Sequence, residues 1–444
     1  MFAEMRREAF LCQAIWLFLL GLCACGLLLP GLHAALLAAS VAAATTALVA
    51  LYPTTASAAW LVAASLSLEM TLHDLVDPSM LQITIAAVKG AEILLAGLMA
   101  LRFGMRADLA NPAWAYVAML AAGWAHGLYP GLTTEGSVRS FIGSAAPFAF
   151  CFCRLPRDWP GTIIRVTKWC PLIAVLLCLP LDVAGVRPLF VESGGWRLAG
   201  LGHPAFLAGV CLPAIYAGLI ELYRNGRRGD VALMCGNFLV LVLTGARAPL
   251  AYAVFVTGMT LLAVPSPVFP PHARRLLLLI GASAAPLLLL VADDLSGVRL
   301  FNILETEAGD LSGRGLLWPA FEAAASQSPW FGWGIGAGNV IIPPDGTIAR
   351  LLHTWAAHNE YLRMEVEGGQ AGRFLLILSF IAWVVRGTRR LPMAERRIMR
   401  LVFLTFAAHA ATDNVLISTP ACVLFAFSTA VFNRMSLPDS PYRA

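Results

Sequence analysis

Long apolar stretches, broken by short polar turns, recur from the start of this 444-residue chain almost to its end. A helix needs about 20 mostly apolar residues to cross a bilayer. The pattern predicts spans near 9–29, 34–51, 57–71, 80–101, 112–129, 138–153, 167–182, 204–223, 231–246, 248–265, 276–292, 373–387, 400–413 and 416–432. Several are short, and merging within 231–265 and within 400–432 reduces fourteen spans to twelve. The first run is too long for a signal-peptide core and lacks a cleavage site, so it counts as a helix. The expectation is an all-α polytopic membrane protein of 12–14 transmembrane helices. Residues 1–291 form an N-terminal transmembrane bundle, 292–372 a long loop, and 373–444 the last helices and a tail. Within the loop, Leu316–Ser328 and Thr354–Glu367 read as short amphipathic helices. Between them lie a glycine run and a Pro343-Pro344-Asp345-Gly346 turn. A long ordered loop is usually functional.

Composition agrees: 59% of residues are hydrophobic and 13% charged, against about 25% charged in soluble domains. The net charge of +5 raises the question of nucleic acid, and the placement of the charges answers it. With both termini inside, 21 of the 31 basic residues fall on inside loops or tails, as the positive-inside rule requires. The basicity is mostly topological, and no nucleic-acid partner is expected. All ten cysteines lie in apolar stretches without a CxxC pair, which points to small apolar packing rather than disulfides or zinc.

Ten basic residues remain. Arg139, Arg187, Arg197 and Arg247 sit at outer ends of spans; Arg299, Arg314, Arg350, Arg363 and Arg373 belong to the loop or its exit; Lys89 lies inside a span. Outer arginines run against the insertion bias. Either they snorkel or pair with loop carboxylates, or they form an anion site, since guanidinium groups bind phosphate oxygens bidentately. Arg247 follows the tight turn Leu243-Thr244-Gly245-Ala246, and Arg197 lies shortly before the helix that Pro204 opens. Read as helix, the segment from His358 puts His358, Leu362 and Glu365 on one face and lets Arg363 bridge Glu360 and Glu367. An imidazole is suited to act as general base toward a hydroxyl, although a lone histidine is more often structural. His353 is five residues away, which is not a zinc spacing. The run Gly332–Gly338 lacks a Walker lysine, and close backbone packing explains it better than a nucleotide loop. Lys89, Glu92 and Glu69 are charges within or near spans, either functional or structural. His409 and Asp413, one turn apart near an outer helix end, are weaker candidates.

Four pieces of this sequence resemble the O-antigen ligase and cell-surface polysaccharide polymerase superfamily of bacterial envelope proteins. They are Arg197-Leu-Ala-Gly with His203-Pro204; Leu243-Thr-Gly-Ala-Arg247; Ser312-Gly-Arg314 through Trp318 to Pro329-Trp-Phe-Gly332 and Gly336; and His358-Asn359-Glu-Tyr-Leu through Gly369 and Gly372. The resemblance covers about residues 190–372. It implies a metal-independent, inverting glycosyltransferase without a cofactor, set in the bacterial inner membrane with its active site in the periplasm and its termini in the cytoplasm. The donor would be an undecaprenyl-diphosphate-linked glycan. The acceptor would be lipid A–core oligosaccharide in a ligase, or a second lipid-linked repeat unit in a polymerase. By that analogy Arg197 and Arg247 bind the diphosphate, Arg139 and Arg314 assist, Asn359 contacts substrate, and His358 activates the acceptor or orients the donor. From another class comes a lipid-linked glycan transporter or flippase, supported by Lys89, Glu92 and the helix count. Against it, no internal repeat or matched pair of broken spans stands out.

Overall fold

The computed structural model describes residues 51–67, 78–192, 195–266, 269–290, 314–343, 346–352 and 354–434. The expected span 9–29, nearly all of 34–51, Glu69, Arg299, His353 and the Arg314 side chain lie outside that description.

Among the described residues the chain forms fourteen α-helices: α1 (Pro53–Leu66), α2 (Pro78–Phe103), α3 (Ala113–His126), α4 (Thr134–Ala145), α5 (Trp159–Val183), α6 (Pro204–Asn225), α7 (Arg228–Leu243), α8 (Arg247–Ala263), α9 (Pro271–Leu290), α10 (Arg314–Gln327), α11 (Thr347–Leu352), α12 (Glu360–Thr388), α13 (Met393–Ala410) and α14 (Thr419–Asn433). α5, α6 and α12 are long and apolar enough to cross a membrane, and α8 and α14 are apolar but shorter. The protein is an all-α polytopic membrane protein. The stretches 231–265 and 400–432 each contain two helices, α7 with α8 and α13 with α14. The stretch 138–153 is not one helix: α4 gives way to a 3₁₀ helix at Ala146–Phe152, where Pro147 in its first turn removes a backbone donor.

α6 is the central column. Pro204 opens it, His203 caps it by accepting the Ala205 N–H at Nδ1, and Gly226 closes it in the left-handed region. Nearly its whole circumference is buried, as expected of a helix apolar all round, and α5, α7, α8, α13 and α14 pack against it. A short ribbon precedes it, which the apolar pattern did not predict. Strand β1 (Phe190–Glu192) pairs antiparallel with β2 (Trp196–Leu198), and Arg197 faces Val191 in the register.

The segment before α12 folds as a lobe with its own small core, centred on Leu317 and Phe321 of α10 and Val366 of α12. The lobe is anchored to α12 at a break. Gly369 takes φ 60° and ψ −166°, so the helix kinks there and exposes backbone groups on both sides. The extended segment 329–334 docks on them. Trp333 N–H donates to Val366 O (2.9 Å), Gly334 N–H to Glu367 O (2.9 Å), and Gln370 N–H to Pro329 O (2.8 Å). A Cβ on Gly332 would stand 2.5 Å from the Glu367 carbonyl carbon, and one on Gly369 would stand 2.3 Å from that of Trp330. The glycine run serves close backbone packing.

Candidate active site

α12 does not begin at Thr354. Asn359 is a strong N-cap residue, and its Oδ1 accepts the N–H groups of Tyr361 (3.0 Å) and Leu362 (3.2 Å), so the helix starts at Glu360. His358 therefore lies outside the helix and shares no helical face with Leu362 and Glu365. Its φ is +49°, a left-handed conformation that a side-chain-bearing residue adopts only when its surroundings demand it. Trp318 of α10 helps impose it by donating from Nε1 to the carbonyl of Ala357 (2.9 Å), the preceding residue.

Held this way, the imidazole reaches two partners. Nδ1 lies 3.0 Å from Asp413 Oδ1, and Nε2 lies 3.1 Å from Thr354 Oγ1. Asp413 sits in the turn beyond α13. Burial raises its pKa, but the hydrogen bond and charge of His358, with His409 and the Asn414 N–H, outweigh that and hold the carboxyl below its ordinary range. An ionised Asp413 fixes the proton on Nδ1 and leaves the lone pair on Nε2. Nε2 is then the basic atom, on the side where the Thr354 hydroxyl now stands. His409, buried on α13, extends the cluster: its Nε2 is 3.8 Å from Asp413 Oδ2, and its ring lies 5.1 Å from that of Tyr252 on α8.

Tyr252 links this cluster to the arginines. It lies five residues into α8 from Arg247, an axial rise of about 7 Å. Arg247 is the first residue of α8 and is exposed. Arg197 is buried on β2 and donates from Nε to the carbonyl of Thr244 (2.8 Å), in the turn that leads to Arg247. The ribbon thus holds one arginine against the turn that leads to the other, and Tyr252 sets α8 against His409. Arg139 is exposed on α4, where it pairs with Glu135 at 2.7 Å. Arg314 opens α10. Asn359 caps α12 through its side-chain oxygen, a structural duty whatever else it does.

Arg363 bridges as its spacing predicts, to Glu360 Oε2 (2.6 Å) and Glu367 Oε2 (3.1 Å), with all three buried. Lys89 directs its ammonium to two backbone carbonyls, Gly143 O and Ile417 O, both at 2.8 Å. Glu92 on the same helix is fully buried. Among the described residues no group of three or more His, Cys, Asp or Glu is arranged to hold a metal. Sequence reasoning missed Thr354 and Tyr252 and ranked Asp413 low. Asp413 is 55 residues from His358, and the packing of α13 on α12 helps bring them together.

The segment that spans these pieces, residues 231–377, matches the family model described as O-antigen ligase. That match covers about a third of the chain. The matched segment runs from α7 into α12 and carries Arg247, Arg314, His358 and Asn359. Arg139, Arg197 and Asp413 lie outside it. Among curated proteins no match to the chain is found.

Proposed function

We propose that this protein is an O-antigen ligase-like glycosyltransferase. It moves a glycan from undecaprenyl diphosphate to a hydroxyl of lipid A–core oligosaccharide at the periplasmic face of the bacterial inner membrane. The observation that carries the reading is the His358–Asp413 pair, which His409 and Tyr252 join to the helix that Arg247 opens, in a chain whose 231–377 segment matches the O-antigen ligase family model. In the reaction, His358 Nε2 takes the proton of the acceptor hydroxyl, which replaces the Thr354 hydroxyl. The freed oxygen attacks the anomeric carbon from the face opposite the diphosphate, and the bond from that carbon to the diphosphate oxygen breaks. The departing diphosphate keeps the electron pair, and Arg247 and Arg197 neutralise its charge. Inversion follows from this single displacement. Asp413 stabilises the imidazolium as it forms.

A polymerase, whose acceptor is a second lipid-linked repeat unit, shares every one of these groups. Reconstitution into vesicles with an undecaprenyl-diphosphate-linked glycan, offering lipid A–core in one arm and only more donor in the other, tests the choice. Capped lipid A–core is the expected product. A ladder of lipid-linked chains without lipid A–core would make the protein a polymerase, and movement of donor across the bilayer without a new glycosidic bond would make it a transporter. The transporter reading is weakened by Lys89, whose two carbonyl bonds tie helices together.

A further inference from the structure

The turn between α13 and α14, residues 411–418, positions Asp413, yet it is a loop with few side-chain restraints of its own. Two buried charges from other elements grip it at consecutive residues. Glu360, in the first turn of α12, accepts the Leu416 N–H at Oε1 (2.8 Å) while its Oε2 holds Arg363. Lys89, midway along α2, donates to the Ile417 carbonyl (2.8 Å) and, with the same ammonium, to Gly143 at the end of α4 (2.8 Å). Both side chains are almost fully buried, Glu360 at 2% and Lys89 at 5% exposure. Buried charges are costly and persist where a specific geometry needs them. Here a carboxylate and an ammonium converge on adjacent backbone groups of one short turn. Glu360 is also only two residues from His358, so one side chain links the backbone bearing the histidine to the backbone bearing its carboxylate.

We propose that Lys89 and Glu360 are positioning residues that clamp the 411–418 turn and so set Asp413 against His358. The proposal rests on the reading of His358 as the base, and its test separates the two. In purified full-length protein, the rate at which diethyl pyrocarbonate modifies His358 is followed by mass spectrometry, with exposed His126 and His272 as internal references. Lys89→Met removes both donors, whereas Lys89→Gln keeps two N–H donors on a side chain one bond shorter. Glu360→Gln keeps an acceptor for Leu416 but lets go of Arg363. For Lys89→Met, His358 reactivity should fall to the level of Asp413→Asn. Its kcat for transfer from undecaprenyl-diphosphate-linked glycan should drop about tenfold, the size of one charged hydrogen bond, with KM for the donor unchanged. Lys89→Gln should restore part of both, and Glu360→Gln should lie between Lys89→Met and wild type. Wild-type His358 reactivity in Lys89→Met would overturn the clamp, as would an equal fall at His126 and His272, which marks general unfolding. Full transfer by His358→Ala would instead remove the catalytic reading and leave the reactivity result standing.

Discussion

His358 is set apart from an ordinary surface histidine by what surrounds each ring nitrogen. A carboxylate on Nδ1 and a hydroxyl on Nε2 suit the imidazole to its proposed role, accepting a proton at Nε2. A positioned base contributes about 10²- to 10⁴-fold. Replacing His358 with alanine should therefore lower transfer at least about 100-fold while protein yield and donor binding stay near wild type. Radiolabelled donor in vesicles reads all three, and undiminished transfer would refute the base. For Asp413 the sign of the pH effect follows from its lowered carboxyl. Its link to His358 stabilises the fold fully above the ordinary aspartate value and is lost as pH falls through the lower, folded value. Asp413→Asn should lose activity at neutral pH and lack this acid-sensitive component in unfolding measured against pH. An unchanged acid transition in the variant would show that Asp413 is not held as described. Arg247→Ala should weaken donor binding about tenfold or more, the loss of one charge-assisted phosphate bond. Equal affinity for undecaprenyl diphosphate before and after the change would remove Arg247 from the diphosphate site.

At the scale of elements, legibility followed sequence distance. The bridge from Arg363 to Glu360 and Glu367 and the packing role of the glycine run were readable because helical spacing and small side chains act locally. The start of α12 was misplaced although its signal was present: Asn359 followed by Glu360 is a cap with an acid in the first turn. The β1–β2 ribbon went unpredicted because three-residue strands carry too little alternation, and its work, holding Arg197 at Thr244, depends on a contact 47 residues away. The dyad itself was out of reach, since nothing between His358 and Asp413 announces that α13 returns to the start of α12. The kink at Gly369 is the element on which the lobe depends. Gly369→Ala combines a glycine-only conformation with a 2.3 Å clash, and should cost about 3 kcal/mol or more. A fall in the thermal midpoint, with faster proteolysis of the 314–343 segment, is the expected observation; an unchanged midpoint would show that 329–334 is not docked as described.

For the whole molecule, α12 joins the two halves of the problem, holding His358 at its head and the arginine-rich turn near Arg386, Arg389 and Arg390 at its foot. If that turn is cytoplasmic, a cysteine placed at exposed Trp355 and one placed at exposed Arg390 must lie on opposite sides of the membrane. With exposed Cys235 first changed to serine, a membrane-impermeant maleimide should label the former from the periplasm and the latter only after the inner membrane is opened. Labelling of both from one side would refute the topology. The kink then acquires a second meaning. Beyond it, Gln370–Thr388 is 19 residues, or roughly 28 Å of helix, close to the hydrocarbon thickness of a bilayer. Before it, Glu360–Gly368 rises no more than about 13 Å. α12 is a ruler with its zero at Gly369: the membrane fixes the lower part, and the upper part fixes how far out the chemistry happens. On the proposed function, a base held at that height meets the part of the donor next to the lipid, whatever the length of the glycan beyond it.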